Sequence, residues 1–251
     1  MKTIYRLVVM MFAVVALLML SMPVQASKMD NSIESSAKKS YVFQTYLKAD
    51  DIKVKSEDGA VSLTGTVSEE SHKSLAQDTV ADIPGVKSVD NKLEVKGESP
   101  AEMSDAWITA KVKTMFLFHQ NVSAMTEVST KNGIVTLQGK AANEAQKDLT
   151  TEYAKDVEGV KGVNNEMTLG KIAKKKQTVG QKIDDASITA QVKMTLLYHR
   201  STSALKTSVT TKRGVVTLSG KVKNSAEKDL AAKYAKDVNG VKGVNNQMGI
   251  E

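Results

Sequence analysis

The stretch Lys131 to Lys140, KNGIVTLQGK, decides how this chain is read. Asn132-Gly133 is a hairpin turn, since glycine accepts positive φ without Cβ strain. Val135 and Leu137 alternate with polar neighbours as on a half-buried strand, and Gly139 breaks the run. The pattern returns as KRGVVTLSGK at Lys212 to Lys221 and as DGAVSLTGT at Asp58 to Thr66. A second echo follows each copy: IPGVKSVDN from Ile83, VEGVKGVNN from Val157 and VNGVKGVNN from Val238. The separation is constant, Gly59 to Gly85, Gly133 to Gly159 and Gly214 to Gly240. Constant spacing between two motifs means one folded unit used three times.

Outward from Lys131, the second unit begins at Ser104 and Asp105, both good helix caps. Ile108, Val112, Met115, Phe116 and His119 then share one helical face. Val128 marks a first strand and Ile134 to Leu137 a second. Asn143 with Gln146 is a capping-box pattern, and Leu149, Tyr153, Ala154 and Val157 line the helix that follows. Gly159 closes it, and Val163, Met167 and Leu169 form a last strand. The third unit repeats this with Ile188, Val192, Thr195 and Leu196, the cap Asn224 with Glu227, and the face Leu230, Tyr234, Ala235 and Val238.

The first unit is divergent. Val42, Tyr46 and Leu47 mark its first helix, Ile52 and Val54 a strand, and Val61, Leu63 and Val67 the returning strand. Ser68 is placed to cap a second helix whose face is Leu75, Ala76, Thr79, Val80 and Ile83. Pro84-Gly85 ends it before a strand at Val89 to Val95. Residues 27–36, SKMDNSIESS, are polar and read as loose. The fold class is therefore α+β, three tandem small αββαβ units at 33–97, 104–170 and 184–251, with a basic linker at 171–183. Units this small bury little surface, so neighbouring copies are expected to pack together.

The N-terminus reads as a secretory signal peptide over residues 1–26. Lys2 and Arg6 precede an apolar run from Leu7 to Leu20, and Val24-Gln25-Ala26 sets cleavage after Ala26. The run is short for a transmembrane span, which needs about 20 apolar residues. The expected location is the periplasm. With no Cys in the chain, disulfides and thiolate metal sites are excluded. The formal charge of +7 becomes +5 once Lys2 and Arg6 leave, with 33 basic and 28 acidic residues remaining. The natural anions for an exported basic protein are phospholipid head groups and other envelope polymers, not nucleic acid.

The helix starts ITAKVK at Ile108 and ITAQVK at Ile188, the strands GIVTLQG and GVVTLSG, and the VxGVKGVNN endings resemble the BON domain, a small module of bacterial envelope proteins. The resemblance covers the chain from about residue 33 to 251. It implies two helices packed on one face of a three-stranded mixed sheet. It also implies phospholipid binding, envelope maintenance under stress, and no catalytic machinery.

The residues themselves name no enzyme. His72, His119 and His199 have no His, Asp or Glu at i+3 or i+4, so metal-ligand spacing within a helix is missing. His119 and His199 end equivalent helices and read as structural, half-buried groups. The glycines lie at turns and helix ends, outside phosphate-loop spacing. No cofactor is implied. Trp107, the single tryptophan, falls off the core face and in line with Lys111 and Phe118. Two readings stand. On one, Trp107, Lys111 and Phe118 form an exposed stripe for a membrane interface. On the other, Trp107 packs on its own helix end or on a neighbouring unit. The linker lysines Lys174, Lys175 and Lys176 read as a solvated tether or as a contact for an anionic surface. The expected partner is an anionic phospholipid surface; the alternative is other envelope proteins held by a soluble chaperone-like or adaptor protein.

Overall fold

A computed structural model describes residues 22–122, 125–170, 182–202 and 206–251. Residues 1–21 of the expected signal peptide and the lysines Lys174, Lys175 and Lys176 lie outside them. The chain is a mixed α+β protein of small sheets, with seven helices among the described residues.

The first unit opens with helices α1 (Met22–Lys39) and α2 (Tyr41–Thr45). Strands β1 (Asp51–Glu57) and β2 (Ala60–Val67), helix α3 (Glu70–Ala81) and strand β3 (Ser88–Val95) follow. β1 pairs antiparallel with β2, and β2 pairs parallel with β3. The second unit has α4 (Asp105–Phe118), β4 (Glu127–Lys131), β5 (Ile134–Gln138), β6 (Lys140–Ala141), α5 (Glu144–Lys155), β7 (Gly162–Asn165) and β8 (Thr168–Leu169). β5 lies between antiparallel β4 and parallel β7, while β6 pairs parallel with β8. The third unit has α6 (Asp185–Tyr198), β9 (Lys206–Lys212), β10 (Val215–Val222), α7 (Ser225–Lys236), β11 (Gly243–Asn246) and β12 (Gly249–Ile250). β10 takes β9 antiparallel along one edge, and β11 and β12 parallel along the other.

The repeated motif explains its own spelling. Asn132 (φ 54) and Gly133 (φ 79) are both left-handed, as a two-residue hairpin of this twist requires, and Asp58-Gly59 and Arg213-Gly214 repeat the pair. An aspartate on a helix preceding the hairpin in each unit then clamps it, at the helix start in the second and third units and midway along α1 in the first. Asp105 carboxylate oxygens accept the backbone N–H groups of Asn132 (2.7 Å) and Gly133 (2.8 Å). Asp185 does the same for Arg213 and Gly214, and Asp30 for Asp58 and Gly59. The closing glycine is needed too. A Cβ on Gly65 would lie 1.9 Å from the Asp51 carbonyl oxygen across the ladder, and one on Gly220 would lie 2.2 Å from that of Lys206.

Several local expectations change. Residues 27–36 are helical, inside α1, and Ile33 and Ala37 are fully buried in the first unit's core. The expected first helix around Val42 is the short α2, so its packing role is shared with α1. Polarity misleads because, over residues 27–39, α1 buries only Ile33 and Ala37, while Asp30 and Glu34 bond the sheet and the others are exposed or partly so. Ser68 does not cap α3. Its hydroxyl donates to Asp50, and Glu69 occupies the cap position without a side-chain bond. Leu169 ends its strand 52% exposed. The caps Asn143 and Asn224 form as read, each accepting from the backbone N–H three residues on.

The units do pack together. Residues of the second and third units share one apolar core, running from Ile108, Val112 and Met115 through Ile188, Val192 and Leu196. The first unit has its own core, completed by Phe118, Ala190, Met194 and Tyr198 from the other two. Helix α6 lies between them, with ten of its 14 side chains buried.

Two substitutions test this architecture by urea unfolding. Ile33→Ala should cost about 2–5 kcal/mol, as for other buried isoleucines; a cost near zero would return residues 27–36 to a loose tail. Gly65→Ala should cost ~2 kcal/mol or more, through a carbonyl clash at positive φ.

Candidate functional site

Two groups of side chains stand out, one on helix α4 and one where the second and third units meet.

Ser104 caps α4 by accepting the Trp107 backbone N–H. This starts the helix in a phase that buries Ile108, Val112, Met115 and Phe116 and leaves Trp107 half-buried at the edge of the core. One turn on, the Lys111 ammonium sits over the Trp107 ring at 3.7 Å from its centroid, and 5.0 Å from that of Tyr198. A cation over an indole face is attracted by the ring quadrupole. Burial, opposed by the Glu102 and Glu158 carboxylates, holds the Lys111 ammonium below its ordinary value. Phe118 is not part of an exposed stripe. It is 1% exposed, packed in the first unit's core, with its ring edge-on to Tyr46 at 5.4 Å. Helical phase puts Phe118 in line with Trp107, but the first unit covers that end of the helix. Of the predicted residues, the structure brings Trp107 and Lys111 together and separates Phe118 from them.

Sequence periodicity missed the second group. His119 and His199 cap the ends of α4 and α6 and are buried. Their Nε2 atoms face each other at 3.3 Å. His119 Nδ1 lies 3.0 Å from Asp237 Oδ2, and His199 Nδ1 lies 3.1 Å from Asp156 Oδ2. Each histidine thus reaches an aspartate of the other unit. The tyrosines cross in the same way: Tyr153 donates its hydroxyl proton to Asp237 (2.9 Å) and Tyr234 to Asp156 (2.7 Å). Asn121 donates a further bond to Asp237, and Ser201 to Asp156. The His199 ring stacks on Tyr234 at 3.7 Å, and His119 on Tyr153 at 4.2 Å. Around this centre the backbone is also reciprocal. The Gln120 N–H donates to the Asp237 carbonyl and the Arg200 N–H to that of Asp156, with bridges His119 to Val238 and Val157 to His199. A local two-fold axis therefore passes between the histidines.

Electrostatics follow from the burial. Burial pushes His199 below its ordinary value, against the opposing hydrogen bond from Asp156. For Asp156 burial acts upward, but bonds from His199, Ser201 and Tyr234 outweigh it and leave the carboxyl below the usual range. Burial and the accepting carboxylates push both tyrosine hydroxyls well above theirs. One signal in the sequence marked the cluster: His119/His199, Tyr153/Tyr234 and Asp156/Asp237 are the same residue types at equivalent places in the last two units. The first unit has Thr79 where they have tyrosine.

The BON domain profile matches residues 29–97, 104–171 and 184–251. The chain is 37% identical over 148 residues to the osmotically-inducible protein Y of Escherichia coli, covering 58% of this chain and 72% of that one. It is 34% identical over 160 residues to the outer membrane lipoprotein DolP of Haemophilus influenzae, covering 64% and 74%. It is 35% identical over 118 residues to a 21 kDa hemolysin of Actinobacillus pleuropneumoniae, covering 47% and 58%. With three matched segments spanning most of its length, this chain belongs to the BON-domain family.

Proposed function

We propose that this is a non-enzymatic periplasmic protein of the envelope stress response that binds anionic phospholipid surfaces, using the α4 face of its second unit. Its relatives support the setting, since one is named for osmotic induction and another for the outer membrane. In this reading each unit is an αββαβ module with its helices on one face of its sheet. The units span 33–97, 104–170 and 184–251, after export and cleavage at Ala26.

One observation carries the choice of surface. The first unit docks on α6 through a set of contacts at defined places. Tyr41 N–H donates to Asp184 (2.7 Å), Val42 N–H to the Ser187 hydroxyl (3.0 Å) and the Tyr46 hydroxyl to Gln191 (3.3 Å), over buried Ala190 and Met194. The equivalent places on α4 are Ser104, Trp107, Lys111, Ala110 and Thr114. Of these Thr114 is buried and Lys111 reaches toward Tyr198 of the third unit, while Trp107, Ala110 and Lys111 stay half-exposed. Where α6 presents Ser187 and Gln191 to a protein neighbour, α4 presents an indole with an ammonium on its face. An amphipathic ring beside a cation suits the head-group layer, where the ring enters the interface and the cation meets phosphate. Lys174, Lys175 and Lys176 would add charge to the same encounter.

A second reading has its own support. Ile134 and Val215 are each 43% exposed, and Leu169 and Ile250 are 52% and 55% exposed, at equivalent places on the sheets of the second and third units. Exposed apolar positions repeated in this way suit a chaperone-like or adaptor role toward other envelope proteins.

Co-sedimentation with vesicles containing phosphatidylglycerol separates the two. Binding should weaken as salt rises, and Lys111→Ala should lower affinity about fivefold, as expected for ~1 kcal/mol per surface cation. Trp107→Ala should reduce it further. Equal binding to vesicles of zwitterionic lipid alone would sink the lipid reading. In an aggregation assay without lipid, Ile134→Ser with Val215→Ser should abolish protection of a client protein if the second reading is right.

A further inference from the structure

We propose that the His119–His199 pair is a proton-gated latch: it holds the second and third units together while it carries one shared proton, and it releases them when acid adds a second. The inference does not depend on the lipid reading.

Hydrogen-bond accounting carries it. An ionised carboxylate only accepts, so Asp237 and Asp156 each require a proton on the Nδ1 that faces them. That places both neutral imidazoles with bare Nε2 lone pairs pointing at one another across 3.3 Å. The contact is attractive only when one Nε2 carries a proton and donates it to the other. The docked state therefore holds one imidazolium and one imidazole, with the single positive charge between two carboxylates. Neither Asp can relieve the requirement by turning away, because each also accepts a tyrosine hydroxyl and a second side chain. A metal ion does not replace the proton: among the described residues no group of three His, Cys, Asp or Glu side chains is placed to hold one.

Addition of a second proton reverses the sign of the contact. Both Nε2 atoms become donors, and two like charges face each other in a buried site. Among the described residues, neither Nε2 has a hydrogen-bond partner besides the other. The end of α4 brings His119, Gln120 and Asn121, and the end of α6 brings His199, Arg200 and Ser201. Helix α5 brings Tyr153 and Asp156, with Glu152 toward Tyr234, and α7 brings Tyr234 and Asp237. Lys155 and Lys236 point elsewhere, to Glu152 and to the Lys242 carbonyl.

The direction of the pH effect follows from His199, whose docked value lies below its ordinary 6.5 because of burial. The shared first proton is taken up on docking, so its contribution weakens as pH rises above 6.5; the second, excluded from the docked pair, favours docking down to 6.5. The favour is lost as pH falls from 6.5 through the lower docked value. Asp156, held below the usual carboxylate range, stays ionised through this window. His72 lies in the first unit, bonded to Asp50, away from the axis.

Amide hydrogen exchange on the full mature chain, corrected for intrinsic rates, reads the latch directly. The reporters are the N–H groups of Gln120, Arg200 and Asn239, which donate across the boundary. Their protection should fall about fivefold or more between about pH 6.5 and pH 5, while the in-unit ladder amides of Val135 and Val216 keep theirs. In His199→Gln the fall should shrink to less than about threefold, because one histidine cannot build two facing charges. His119→Gln should behave alike. Constant protection of the three reporters in the unaltered protein overturns the proposal, and so does an equal fall in both variants. If either variant is undocked at all pH values, the unaltered protein's profile decides.

Discussion

Helix α6 keeps only a narrow edge in water, at Lys193 and Leu197, and the rest of the molecule is arranged to cover its other sides. One face carries Ile188, Val192 and Leu196 into the core shared with the second unit. Another carries Ala190 and Met194 into the core of the first. Between them lie Ser187, Thr189, Gln191 and Thr195, small or polar groups that are nonetheless buried. Most of these polar side chains are paired. Thr189 donates to Thr211, Gln191 donates to the Ser187 carbonyl, and the Ser187 hydroxyl accepts from the Val42 backbone. Buried polar groups are tolerable only when bonded in this way, so α6 fixes the orientation of its neighbours as well as their distance. Units of this size have too little interior to stand on apolar burial alone.

The two faces of contact differ in chemistry. The first unit meets α6 through apolar side chains, a few hydrogen bonds, one of them to the Asp184 carboxylate, and the part-exposed ion pair of Lys193 with Asp78. The second unit meets the third around two aspartates and two histidines, each satisfied from the opposite side of the axis. An arrangement of that kind is intolerant of partial formation, since loss of any member strands a buried charge. It therefore specifies one way of docking the two units and penalises slipped alternatives. The copy that lacks the tyrosine, with Thr79 in its place, is the copy that does not take part.

Much of this was legible in the sequence. Turn chemistry at Asn132-Gly133, the asparagine caps, and the faces through Ile108 and Leu75 all emerged as read, because each is encoded within a dozen residues. What failed lies between units. Phe118 continues the helical line of Trp107 and was read with it, but its surroundings come from residues some 70 positions earlier, such as Tyr46. The histidines were judged by neighbours at i+3 and i+4, while their partners lie 118 and 43 positions away. α1 was dismissed for polarity, since Ile33 and Ala37 alone make too faint a period to detect. Periodicity reports the face an element turns inward within its own unit. A second buried face made of Ser, Thr and Gln leaves no such trace.

The placement of α6 also sets an order of events during synthesis. Chain order runs first, second, third, but the helix that both earlier units lean on belongs to the last. Until it emerges, Leu63 and Leu75 lack the Met194 side of their core, and Phe118 faces water beside Tyr46. A nascent two-unit intermediate thus exposes apolar surface that the finished chain covers. Completion of the third unit covers both exposed surfaces at once, so docking of the earlier units waits on a helix of the last unit to be made.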